Sequence, residues 1–174
     1  MGFVIDADIA RASGTSEHPV SSSSRLLLDA IKKNGAMICF CDELQKEWNV
    51  HKSRYAKTWL VSMYSKKKVQ IKKISGYTKS HLEKLNESIE QKAAIKDAHL
   101  IDLAFLSQKI VFSNDGKARE AFSQLLCKRD EFNIYWMSAK DHINDIVLYP
   151  LKGKRIPQKY HLFYIDPNTV TVEN

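Results

Sequence analysis

The chain opens with Phe3-Val4-Ile5-Asp6-Ala7-Asp8, a short apolar run that stops abruptly at two carboxylates. Three β-favouring residues with nothing polar between them read as a strand buried on both faces. Such a strand belongs in a sheet covered by helices on both sides. Acids at its C-terminal end would then stand in the crevice where open α/β sheets place their sites. Asp is also common in the turn after a strand, so this stretch alone leaves turn and site both open.

The rest of the chain repeats the theme. Residues 36–40 form a second apolar strand, Ile110-Val111-Phe112 a third, and residues 134–137 a short fourth. Helical patterns separate them. Residues 11–24, with Ser13-Gly14-Thr15-Ser16, Pro19 and four consecutive serines, read as a polar loop beside the site. Over 25–34, Leu26, Leu27, Ala30 and Ile31 share a helix face, and Asn34-Gly35 supplies a stop. Asp42 opens the next helix, with Gln45 completing a capping box. Leu44, Trp48, Tyr55 and Trp59 mark its stripe, which extends towards Tyr64. Residues 66–75 are ambiguous, because Val69 and Ile71 alternate with polar residues over too short a window. Residues 79–91 read as an amphipathic helix with Leu82, Leu85 and Ile89 on one side. Further helices are expected over 97–108 and 117–126. Alternating helix and strand argues for a three-layer α/β/α sandwich on a mostly parallel sheet. Residues 1–148 would form this domain. Residues 149–174 would form a C-terminal extension: a β-hairpin turning at Asp166-Pro167-Asn168, a docking arm, or edge structure.

No apolar run is long enough to span a membrane, and no basic-then-apolar leader precedes the first strand. Cys39, Cys41 and Cys127 have no framework spacing, which suits a reducing, cytoplasmic setting. Cys39-x-Cys41 lacks the second pair a metal site needs and reads as two small strand residues. The formal net charge is +7, which suits a phosphate-rich partner. From Lys46 to Lys79 there are ten Lys or Arg and one acid, Glu47, interleaved with Tyr55, Trp59, Tyr64 and Tyr77. A solvated helix face accounts for such a run. So does a nucleic-acid surface, on which Lys52, Arg54, Lys57, Lys66, Lys67 and Lys68 would hold a strand and the aromatics would stack on bases.

Carboxylates recur where this topology would gather them: Asp6 and Asp8 after the first strand, Glu43 and Glu47 on one helix face, Asp97 opening a helix, and Asp115 after the Ile110 strand. Each has a plain explanation. Asp97 and Asp115 could be helix caps, and Glu43 and Glu47 ordinary surface acids. Together they suit Mg²⁺ or Mn²⁺, hard cations that take oxygen ligands. Such a cluster can position a water, lower its pKa and neutralise charge on a phosphodiester. His51, four residues past Glu47, reaches the rim of such a site or is a surface histidine. His99 is expected to face elsewhere. Neither a nucleophile elbow nor a Gly-rich phosphate loop is present.

These stretches resemble the PIN-domain ribonucleases. Phe3 to Asp8 looks like that family's opening strand, and Cys41-Asp42-Glu43-Leu44-Gln45-Lys46-Glu47 like its second motif. Asp97-Ala98-His99-Leu100-Ile101-Asp102-Leu103-Ala104 is similar to the third, and Ile110-Val111-Phe112-Ser113-Asn114-Asp115 to the fourth. The resemblance covers residues 3 to about 137. It implies a Rossmann-like PIN fold and divalent-metal hydrolysis of RNA. It also implies frequent homodimerisation and, as in many relatives, a toxin paired with an antitoxin or other protein partner. By the same analogy Asp6, Glu47, Asp97 and Asp115 would be catalytic and hold Mg²⁺ or Mn²⁺. Asp8, Glu43, Ser113 and Asn114 would support them. Asp102 departs from the pattern and lies about 140° around the helix from Asp97, outside the site. The expected activity is a metal-dependent endoribonuclease. The alternatives are a non-cutting RNA- or protein-binding module and a nuclease acting on DNA.

Overall fold

The structure is a computed structural model that describes residues 2–126 and 133–164. Five strands form its sheet: β1 (Phe3–Ile5), β2 (Ile38–Phe40), β3 (Val69–Ile71), β4 (Ile110–Phe112) and β5 (Tyr135–Met137). Their order is β3-β2-β1-β4-β5 and every pairing is parallel. The central strand β1 registers Val4 against Cys39 on one side and Val111 on the other. All three residues of β1, β2 and β4 are buried, as strands covered on both faces must be. From β1 the chain steps one way through β2 and β3, then returns to β4 and steps the other way to β5. That reversal opens a crevice where β1 and β4 end.

Among the described residues eight α-helices complete an α/β/α sandwich: α1 (Ala7–Ala12), α2 (Pro19–Lys33), α3 (Asp42–His51), α4 (Arg54–Ser65), α5 (Tyr77–Leu82), α6 (Ile89–Phe105), α7 (Gly116–Leu126) and α8 (Ala139–Leu148). One group packs α2 against α8, α4 and α1, and the other packs α6 against α5 and α7. No helix among the described residues is long and apolar enough to cross a membrane.

Several local expectations change. The stretch read as a loop over 11–24 is largely helical, because Pro19 sits at the first turn of α2 behind a His18 cap whose Nδ1 accepts from Val20 N–H. Its serines are weak helix formers. Burial of Ser24, Leu27, Leu28 and Ile31 overrides that preference. The capping box at Asp42 is not formed: Cys41 is the N-cap and makes no side-chain cap bond. The long stripe from Leu44 to Trp59 belongs to two helices. They break at Ser53, whose hydroxyl accepts from Ala56 N–H and whose own N–H donates to the Ala10 carbonyl. The helix expected over 79–91 is also two. Ile89 begins α6 and is exposed, while the Gln91 amide donates to the Leu82 carbonyl at the end of α5. Asp97 therefore lies in the middle of α6 and caps nothing. The ambiguous segment contains β3, and α8 adds a helix beyond those expected.

In the extension, Ile156, Tyr160 and Leu162 are buried in the common core. Leu162 N–H donates to the Ile134 carbonyl, and His161 bridges antiparallel to Tyr135. Up to Tyr164 the segment is edge structure on β5. The expected turn at Asp166 and the second β piece lie outside the described residues, as does Cys127. Cys39 and Cys41 are both buried and free.

Candidate metal centre

β1 delivers Asp6 to the crevice and fixes it there. Its N–H donates to the Phe112 carbonyl of β4, Oδ1 accepts from Asp8 N–H, and Oδ2 accepts from Ser113 Oγ at 2.7 Å. Asp6 thus caps α1 and, through Ser113, is locked to the neighbouring strand. Ser113 Oγ also accepts from Asp115 N–H, so one buried hydroxyl organises both acids. Trp48 on α3 donates its indole N–H to the Ile5 carbonyl at 2.9 Å, holding that helix against the end of β1. The same helix carries Glu47 one residue earlier.

Five carboxylates, Asp6, Asp8, Glu47, Asp97 and Asp115, line one cavity of about 180 Å³, with Arg11 and His51 at its walls. They come from the β1–α1 junction, α3, α6 and the loop after β4. Asp8 Oδ2 accepts from Asn114 N–H at 2.8 Å, while its Oδ1 is buried without a hydrogen-bond partner. Burial, then the charge of Asp6, pushes the Asp8 carboxyl up to about 8. The same two causes push Asp97 up to about 7. Burial also raises Asp6, against the pull of the Ser113 hydroxyl. Asp115 remains solvent-facing and caps α7 through Lys117 and Ala118 N–H. Cap and cavity wall are therefore one residue, not alternatives.

Among the described residues no three His, Cys, Asp or Glu groups stand close enough to ligate one ion as they are. The donor set nonetheless fits a hydrated hard cation. Mg²⁺ keeps several waters and takes one or two carboxylates directly. Five carboxylates, an unpartnered buried Asp8 oxygen, and the Asp8 and Asp97 carboxyls raised by burial and then by the charge of Asp6, are what such an ion would relieve. Asp6, Asp8, Glu47, Asp97 and Asp115 are the residues able to hold it.

The other expected residues scatter. Glu43 is exposed and does not line the cavity. Asn114 supports Asp8 through its backbone N–H, while its side-chain Oδ1 accepts from Ser138 Oγ and Lys140 N–H and fixes the start of α8. Lys66, Lys67 and Lys68 join α4 to β3, at the N-terminal edge of the sheet and opposite the carboxylates. Lys52 follows His51 and donates to Asn49 Oδ1, while Arg54 and Lys57 project from α4. Trp59 is core, with its N–H on the Leu28 carbonyl, and is unavailable to stack on a base. The continuous lysine tract is thus divided between opposite edges, because β3 runs through the middle of it.

His99 is where the sequence reading fails most plainly. It is buried, and its Nε2 lies 3.2 Å from Glu47 Oε2, an ion pair not aligned as a hydrogen bond. Burial pulls its pKa down, but the Glu47 carboxylate outweighs that and raises it. Its position two residues from Asp97 points it to another side of α6, and only the packing of α3 on α6 brings Glu47 to meet it. The sequence assigns Arg11 no role because the polar loop expected over 11–24 begins at it, whereas the structure makes it part of α1. As a helix, α1 puts Arg11 three residues from Asp8 and on the same face. Asp102 stays outside the site as expected. It is buried and accepts from Thr78 N–H and Oγ1 at 2.9 and 2.6 Å. No protein-family model, no curated protein and no solved structure matches the chain.

Proposed function

We propose that this protein is a divalent-metal-dependent endoribonuclease of PIN-domain type, with Mg²⁺ or Mn²⁺ as its cofactor. The observation that carries the reading is the convergence of five carboxylates from four separate stretches of the chain on one small cavity at the sheet's reversal point. A stabilising role does not account for it. Burial, and then the charge of Asp6, raises Asp8 and Asp97 above their ordinary range, which costs stability rather than adding it. The resemblance of the four motifs to PIN-domain ribonucleases supports the same reading.

When bound, the cation would supply positive charge for the phosphodiester and acidify an attacking water. The chain's own residues do the positioning. Ser113 holds Asp6 Oδ2, and Asn114 N–H holds Asp8 Oδ2 beside a buried oxygen that has no hydrogen-bond partner. His99 places an ion-pair partner 3.2 Å from Glu47 Oε2. Arg11, in the same wall, offsets negative charge on the substrate.

The decisive test is incubation of purified protein with single-stranded RNA and Mn²⁺, with and without EDTA, beside Asp6→Asn. Cleavage that survives both chelator and substitution sinks the metal mechanism. The spread of the carboxylates around the walls, with no ready-made ligand triad among the described residues, favours as second reading a binding module that does not cut. RNA binding without cleavage of matched RNA or DNA oligonucleotides in either metal would establish that one.

A further inference from the structure

The carboxylate cavity opens into a second concavity of about 540 Å³, and the two share Asp8, Arg11 and Asp115. Its outer wall carries Lys117 at the start of α7 and Lys140 at the start of α8. All three cations are exposed, and none forms an ion pair with an acid among the described residues. Glu120 is the one acid of this concavity not shared with the carboxylate cavity.

Each cation is tied through short, fixed links to a residue at the carboxylates. Arg11 stands three residues from Asp8 on α1, hence on its face. Lys117 N–H donates to Asp115 Oδ1 at 2.9 Å. Lys140 N–H donates to Asn114 Oδ1 at 3.0 Å, and Asn114 N–H in turn donates to Asp8. The backbone under each cation is therefore set by the same network that sets the acids. Long side chains are held at their base and free at their tip, around a groove contiguous with the acid cavity. That is what an anion next to the reacting group requires, since a nucleic-acid strand brings its phosphates one after another.

We propose that Arg11, Lys117 and Lys140 form a phosphate-binding subsite that grips a single RNA strand beside the bond positioned over the carboxylates. The assignment rests on the nuclease reading for its orientation but not for its binding. It replaces the lysines at 66–68 as the main grip on the strand near the site. Phosphate contact contributes a salt-dependent term, and each contact on a single strand steepens the salt slope by about 0.7.

The test is fluorescence-anisotropy titration of a 12-nucleotide oligouridine across a salt series. It uses Asp6→Asn protein in EDTA, so that binding is read without cleavage. Removing the three cations together (R11A/K117A/K140A) is expected to make the slope shallower by about 2 and each single change by about 0.7. Lys117→Arg should retain the slope. Lys33→Ala, an exposed lysine at the end of α2 on the opposite edge, removes the same charge and should leave the slope unchanged. A triple variant with the slope of Lys33→Ala overturns the subsite, whether or not the wild-type protein cuts RNA. Loss of slope in the triple variant together with absent cleavage by wild type in Mn²⁺ upholds the subsite and removes only the nuclease reading.

Discussion

Asp8→Asn should stabilise the metal-free protein at neutral pH. Asp8 is half-buried beside Asp6, and burial followed by that neighbour's charge carries its carboxyl from 3.8 to about 8. For an acid whose folded pKa is raised, the unfolded chain gives up its proton first. Stability therefore falls as pH climbs from about 4 to about 8, and this loss is absent below the unfolded value. At about 1.4 kcal/mol per pH unit the ceiling at pH 7.5 is about 5 kcal/mol. Partial exposure and sharing of protons with Asp6 reduce this, and the new amide N–H has no acceptor waiting at the place of Oδ1. A net gain of about 1–2 kcal/mol is expected, which raises Tm by about 2–8 °C in a domain of this size. The amide oxygen can still accept from Asn114 N–H, so the loop after β4 keeps its anchor. The assay is thermal unfolding of both proteins in EDTA at pH 4.5 and 7.5, then at pH 7.5 with saturating Mn²⁺. The variant's advantage should be small at pH 4.5 and largest at pH 7.5. It should shrink or reverse with Mn²⁺, because the ion stabilises the wild-type carboxylates by linkage. A variant less stable than wild type at pH 7.5 in EDTA would refute the claim that these acids are held together at a cost. So would an advantage independent of pH.

Three further changes probe the supports. Ser113→Ala removes the hydroxyl that holds Asp6 Oδ2 and Asp115 N–H; Mn²⁺ affinity by calorimetry should fall by about tenfold or more, as loss of a charge-assisted bond of about 1.5–3 kcal/mol dictates. Trp48→Phe strips the donor from the buried Ile5 carbonyl and shrinks a side chain packed between Phe40 and Trp59. Urea unfolding should register a loss of about 2–4 kcal/mol, and a loss under 1 would contradict the role given to that bond. Asp102→Ala leaves Thr78 without its acceptor at the start of α5; a loss of about 2–4 kcal/mol is expected. Asp102→Asn, which keeps an acceptor oxygen, should cost clearly less. Neither Asp102 variant should alter Mn²⁺ affinity, and a changed affinity would place Asp102 in the site.

The layering and the sheet were legible because strands buried on both faces cannot hide their composition. Phe3-Val4-Ile5 and Ile110-Val111-Phe112 have no polar position, and only a covered parallel sheet accommodates that. Four of the five acids of the cavity were read from their place after strands or in motifs, and Asp8 from its nearness to Asp6. Helix boundaries were less legible. Ser53 and Ser88 end up as caps, but serine is too common in loops and helices alike for either to announce a break. The serines of α2 misled for the reverse reason, since local preference is worth a few tenths of a kcal/mol per residue and burial of Leu27, Leu28 and Ile31 outweighs it.

What the sequence determined by itself was the class of fold and the order in which the acids arrive. What only the tertiary structure decided was company. Pairing of β1 with β4 brings Ser113 to Asp6 across more than a hundred residues. Packing of α3 on α6 sets His99 against Glu47. The path of β3 carries Lys66, Lys67 and Lys68 to the edge away from the site, while Arg11, Lys117 and Lys140 come to its rim. Periodicity along a chain fixes which residues share a face of one element. It carries no information on which faces of different elements meet, because that depends on the side-chain volumes packed between them.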